Sequence, residues 1–178
     1  MASIYLTGFM ASGKSYTGRQ LAELLGREFL DLDDAIEQET GTTISELFGT
    51  RGEEYFRRLE RNALRQTASM SGLVVATGGG APCFHGGMDW MNATGVTVFL
   101  DPSLGVLLER LNAERIHRPL VREAVDLEAS VRQRLSARRP VYEKARIHLR
   151  PTHPKAATGR LLADYFRSAG GARMLSGA

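Results

Sequence analysis

The sequence predicts an α/β fold, a parallel sheet with helices on both of its faces. Three observations predict it. Short apolar, β-branched runs alternate with segments of helical spacing along the chain. The first run leads directly into Gly8-Phe9-Met10-Ala11-Ser12-Gly13-Lys14-Ser15, which fits the phosphate-binding signature G-x-x-x-x-G-K-[ST]. Further polar and glycine clusters, Asp31 to Asp34 and Gly78 to Gly80, also follow such runs. Ligands of open parallel sheets bind outside the C-terminal strand ends, so all three should gather at one edge.

Taken in order, Ile4-Tyr5-Leu6-Thr7 reads as a buried strand, and Lys14 to Leu25 as a helix whose Leu21, Leu24 and Leu25 fall at helical spacing. Phe29-Leu30 starts a short strand that ends in carboxylates, where Asp33 or Asp34 could cap a helix over Ala35–Thr40. Thr43-Ile44-Ser45-Glu46 has the form of a capping box and opens a short helix. A longer helix is expected from about Gly52 to Met70, with Phe56, Leu59 and Ala63 on its buried face. Leu73 to Thr77 is a buried strand ending in the triple glycine, and Val96 to Leu100 is another. Asp101-Pro102-Ser103 then reads as an N-cap with proline at the first helical position, before a helix over Leu104–Leu111. Asn112 to Val125 is polar and is expected to be a mobile loop. Leu127 to Ala145 is a charged helix interrupted near Pro140. Ile147-His148-Leu149 is a last strand, and Lys155–Arg167 a last helix. Residues 169–178 have little to bury and are expected to be disordered. With no internal repeat and no linker, residues 1–168 form one domain, and 178 residues suffice for a substantial core.

The net charge of +3 and pI of about 9.3 suit an anionic substrate. No dense basic run or aromatic–basic alternation supports nucleic acid as a partner. No apolar run is long enough to span a membrane, and no signal peptide precedes the phosphate loop. The single cysteine, Cys83, cannot form an internal disulfide. These features predict a cytoplasmic protein.

The phosphate loop supplies the first functional set. Backbone N–H groups of Gly8, Ala11, Ser12 and Gly13, and of the helix start at Lys14, Ser15 and Tyr16, form an anion nest. Lys14 would reach the β- and γ-phosphates of a nucleotide, and the Ser15 hydroxyl would ligate one Mg²⁺. Mg²⁺ takes oxygen ligands, so a carboxylate at a neighbouring strand end would join it, with Asp31 favoured over Asp101. Asp33 could orient an acceptor hydroxyl and take its proton, or merely cap the next helix. Gly78, Gly79 and Gly80 would let backbone approach a phosphate or a small polar substrate. Arg57 and Glu60, three residues apart, share a helix face. Glu60 could hold Arg57 as a fork for a carboxylate, although on spacing alone they read more simply as a solvated pair. Arg118 reads likewise as a loop charge or as an arginine finger in cis.

Together these pieces resemble shikimate kinase, a member of the nucleoside monophosphate kinase-like P-loop fold. The resemblance runs from Ile4 to about Phe166. It rests on the phosphate loop, Asp31-Leu32-Asp33, Phe56-Arg57-Arg58-Leu59-Glu60, Ala76-Thr77-Gly78-Gly79-Gly80, Arg118-Pro119-Leu120 and Arg138-Arg139-Pro140-Val141-Tyr142. It implies a three-layer fold with a five-stranded parallel sheet of order 2-3-1-4-5, a substrate region over about 33–60 and a lid over about 112–125. It further implies ATP and shikimate as substrates of a monomeric enzyme that phosphorylates the shikimate 3-hydroxyl, a step of chorismate biosynthesis. By position, Asp33, Arg57, Gly78, Gly79, Gly80 and Arg138 would bind shikimate, with Glu60 supporting Arg57 and Phe48 and Phe56 lining the ring. Ser15 and Asp31 would serve Mg²⁺, and Arg110 and Pro154 would flank adenine. A related small-molecule kinase, such as a gluconate kinase, and a non-catalytic nucleotide-binding regulator are the alternatives. One departure stands out: Ala11 occupies a loop position where glycine is usual, which matters if that residue needs a positive φ.

Overall fold

The computed structural model describes residues 1–113, 126–151 and 155–168. The expected lid is therefore outside the described residues except for Asn112 and Ala113, and so are Arg118, Pro154 and the 169–178 tail. Five strands, Ser3–Thr7 (β1), Phe29–Asp31 (β2), Val74–Ala76 (β3), Gly95–Leu100 (β4) and Ile147–Leu149 (β5), form one sheet of order β2-β3-β1-β4-β5. Every pairing is parallel, with Ile4 of β1 opposite both Val74 and Val96.

The sheet separates two apolar clusters, because alternate strand residues point to opposite faces. Ile4, Leu6, Val74 and Val98 point to one face, where they meet helices Lys14–Leu25 (α1) and Lys155–Arg167. Tyr5, Val75 and Phe99 point to the other. There they meet helices Leu32–Thr40 (α2), Ile44–Gln66 (α3), Gly87–Thr94 (α4) and Leu104–Ala113 (α5), followed by Leu127–Tyr142 (α6). Lys155–Arg167 is accordingly α7. Among the described residues no helix is long and apolar enough to cross a membrane.

Several elements differ from the sequence reading. α2 begins at Leu32, and its N-cap is Asp31, whose side chain accepts from the Asp33 N–H; neither Asp33 nor Asp34 is the cap. The two helices expected across residues 44–70 run as α3, broken at Gly52 with φ 80°, and α3 ends at Gln66 before a 3₁₀ turn. α5 absorbs Asn112 and Ala113. Its first turn is capped by Ser103, whose hydroxyl accepts from Val106, rather than by Asp101. α6 runs through Pro140 without interruption. The proline sits in the last turn with Ser136 exposed one turn earlier, so water can solvate the carbonyl that loses its partner. α4 was not foreseen at all.

Candidate active site

The phosphate loop joins β1 to α1. Gly13, at φ 98°, is the N-cap of α1 and leaves the first-turn N–H groups without a side-chain cap, as an anion site requires. Lys14 is buried and folds back, donating to the carbonyls of Gly8 (3.0 Å) and Phe9 (2.9 Å). Ser12 is buried behind the loop, whereas Tyr16 is half exposed on α1. Ala11 adopts φ 60°, a left-handed conformation that costs an L-residue roughly 1–2 kcal/mol. Arg110 of α5 donates to the Ala11 carbonyl at 3.0 Å, so this distant arginine does reach the phosphate loop.

Beside the loop, at the end of β2, Asp31 divides its carboxylate. One oxygen caps the Asp33 N–H at 3.1 Å, and the other accepts from Ser15 Oγ at 2.6 Å. A hydroxyl and a carboxylate in contact, next to a phosphate nest, are the oxygen donors that suit Mg²⁺. Asp34 turns away and pairs with Arg19 on the surface.

The pair on α3 is not solvated. Arg57 is 6% and Glu60 2% exposed, and they bond at 2.7 Å. Glu53, a residue the sequence reading passed over, takes Arg57 Nε and Nη2 at 3.1 and 2.9 Å. A guanidinium has five N–H groups; with three engaged, Nη1 and Nη2 each keep one to offer a ligand. The rings of Phe84, Phe56 and Phe48 surround the guanidinium at 4.3, 5.2 and 5.8 Å. Phe48 also packs on Phe56, with ring centroids 4.7 Å apart. Burial acts to lower the Arg57 pKa, but the Glu60 and Glu53 carboxylates outweigh it and the pKa is raised. Burial likewise pushes the Glu60 carboxyl above the ordinary range, and Arg57 offsets only part of this.

The triple glycine explains that burial. A Cβ on Gly78 would collide with the Glu60 carboxylate and lie 2.8 Å from Asp33 Oδ1, and a Cβ on Gly80 would collide with the Arg57 guanidinium. Asp33, Glu60 and Arg57 thus converge on one bare stretch of backbone. A Cβ on Gly79 would lie 3.5 Å from the Met10 nitrogen and 3.6 Å from Arg138 Nη1, so this stretch also abuts the phosphate loop and α6. Of the adjacent Arg138 and Arg139 on α6, Arg138 faces the glycines while Arg139 makes a two-bond pair with Asp101 at 2.7 and 2.9 Å. That pair ties α6 to the end of β4, and it is what Asp101 does in place of capping.

Of the predicted residues within the described chain, the structure brings the phosphate loop, Asp31, Asp33, Arg57, Glu60, the three glycines, Arg110 and Arg138 to one edge of the sheet. Glu53, Phe84 and Tyr142 belong to the same cluster and were missed. Two of them carried a sequence signal: Glu53 lies four residues before Arg57, and Tyr142 four residues after Arg138.

Comparison with known proteins identifies what this cluster resembles. A family model described as shikimate kinase matches residues 10–166. A shikimate kinase from Parabacteroides distasonis is 42% identical over 149 residues, covering 83% of this chain and 86% of that protein. One from Bacteroides thetaiotaomicron is 44% identical over 147 residues, covering 82% and 84%. Among solved structures, a shikimate kinase from Acinetobacter baumannii in complex with shikimate superposes with a TM-score of 0.86. It shares 36% identity and covers 99% of this chain and 96% of its own.

Proposed function

The chain belongs to the shikimate kinase family and phosphorylates shikimate; from that premise we propose which of its residues carry the reaction and how. ATP is the phosphoryl donor and the shikimate 3-hydroxyl the acceptor. The observation that carries the assignment is that a Cβ on Gly79 would touch both the Met10 nitrogen of the phosphate loop and the Arg138 guanidinium. This closeness sets the acceptor side directly against the donor side.

Phosphoryl transfer needs positioning and charge stabilisation more than covalent chemistry. The loop N–H groups from Gly8 to Tyr16 hold the phosphates. Lys14 leaves its two loop carbonyls and follows the charge that spreads over the transferring oxygens. Ser15 and Asp31 would hold Mg²⁺, which would supply neutralisation of the phosphate charge. Shikimate enters with its carboxylate on the free fork of Arg57 and on Arg138. Glu60 and Glu53 hold that fork in place before binding, which lowers the entropy lost on complex formation. Phe48 and Phe56 line the ring, and the backbone of Gly78 to Gly80 meets its hydroxyls. Asp33, beside Gly78, orients the acceptor hydroxyl and takes its proton. Arg110 flanks adenine while bracing the Ala11 carbonyl. Arg118 as a finger on the transferring group, Pro154 at adenine and the 112–125 lid rest on the family resemblance. All the residues named come from one chain, so a monomer suffices, and a cytoplasmic site of action supplies its ATP.

An acceptor panel tests the proposal. ADP release should require shikimate and stay at background with gluconate or with no acceptor. Release that is equal across the panel would refute it.

A further inference from the structure

The hydroxyl of Tyr142 sits where the glycine stretch, α6 and the sheet meet, and the function proposed above does not use it. Tyr142 is fully buried at the end of α6, with its ring against Phe99 at a centroid distance of 5.2 Å. Its hydroxyl donates to the Gly79 carbonyl at 2.5 Å, across 63 residues of sequence. Arg138 lies four residues earlier on the same helix, hence one turn away on the same face. Its guanidinium also lies against Gly79, as the 3.6 Å approach to a Cβ there shows.

We propose that Tyr142 is a positioning residue for shikimate, acting through the Gly79–Gly80 peptide and through Arg138. The proposal rests on the assignment of those residues to the acceptor site.

A trans peptide holds its C=O and N–H antiparallel, so fixing the Gly79 carbonyl fixes the direction of the Gly80 N–H. Three successive glycines have more backbone freedom to lose than any other sequence, and ligand binding would have to remove whatever freedom the fold leaves. A buried hydroxyl bond at the middle glycine removes it beforehand. The same oxygen has acceptor capacity to spare, and the Arg138 guanidinium acts on it electrostatically. Burial pushes the phenol pKa upward, with Arg138 pulling it only partly back, so the hydroxyl stays a donor throughout the working pH range. One side chain thereby couples a backbone donor and a carboxylate-binding guanidinium that lie on different elements.

Tyr142→Phe removes one oxygen and keeps the ring on Phe99. It should raise KM for shikimate about tenfold, the weight of one hydrogen bond, while KM for ATP stays within twofold. A general loosening of the fold would move both constants together. A Tyr142→Phe enzyme with unchanged KM for shikimate, or with parallel rises in both KM values, would overturn the proposal. If wild type itself shows no shikimate-dependent turnover, the acceptor-site assignment fails and this role falls with it. If wild type turns over normally and only the variant contradicts, the role of Tyr142 alone is wrong.

Discussion

Removing Arg57 should do two separable things, and a second substitution should reverse only one of them. In Arg57→Ala the Glu60 carboxylate, 2% exposed, keeps its burial and loses its cation. Breaking a buried pair from one side costs about 3–5 kcal/mol. At roughly 2–4 °C per kcal/mol for a domain of this size, Tm should fall by something like 6–20 °C. Shikimate also loses its fork, worth about 2–5 kcal/mol when a buried charge partner is removed, so KM for shikimate should rise roughly 30- to 5,000-fold. Adding Glu60→Ala removes the stranded charge. The double variant should recover about half of the lost stability and none of the lost shikimate affinity. Thermal unfolding and steady-state kinetics on wild type, both single variants and the double variant make the comparison. A double variant no more stable than Arg57→Ala would show that Glu60 is not a stranded charge. A double variant with restored KM would show that Arg57 does not hold the substrate.

The remaining predictions concern other parts of the site. Ala11→Gly relieves a left-handed alanine worth about 1–2 kcal/mol against a glycine entropy cost of about 0.4–1 kcal/mol, so Tm should rise by a few degrees; a clear fall would refute the strain argument. Asp33→Asn keeps shape and removes the proton acceptor, so kcat should drop about 10²- to 10⁴-fold with ATP affinity little changed, and normal kcat would leave Asp33 a structural residue. Arg118→Ala should lower kcat with Tm unchanged, since a finger acts in the transition state; an unchanged kcat removes Arg118 from the reaction. Glu60, with its carboxyl raised in the folded state, binds its proton more tightly folded than unfolded. The stability it adds is present at acid pH and is lost as pH rises through the raised pKa, so the stability of wild type relative to Glu60→Gln should decline from acid to neutral pH, and a rising difference would contradict burial as the dominant cause.

What the sequence revealed was set by local chemistry. α1 follows from the phosphate loop before it and leucines at helical spacing, and the Thr43–Glu46 capping box forms as its pattern requires. Ser15 and Asp31 could be paired in advance because both end a predicted strand or its loop. What stayed hidden depends on distant packing. On spacing alone Arg57 and Glu60 look like surface charges, and only the family resemblance marks them as a site; nothing in α3 itself says that Gly78 and Gly80 will be its neighbours. Asp101 matches a capping pattern well, yet Arg139 from α6 claims its carboxylate and leaves the cap to Ser103. Asp31, Asp33 and Asp34 are chemically alike, so only the point where β2 stops decides which one caps. α4 is eight residues long and begins at a glycine, so Met88 and Met91 were too short a signal of its buried face.

The central claim is that the buried Arg57 fork reads the substrate carboxylate while the phosphate loop delivers the phosphoryl group. Measuring ATP turnover with shikimate and with its methyl ester, in wild type and Arg57→Ala, tests it most directly. Wild type should turn over ATP only with an acceptor present and should strongly prefer the acid, and Arg57→Ala should lose most of that preference. Equal turnover of acid and ester by wild type, or an undiminished preference in Arg57→Ala, would contradict the claim.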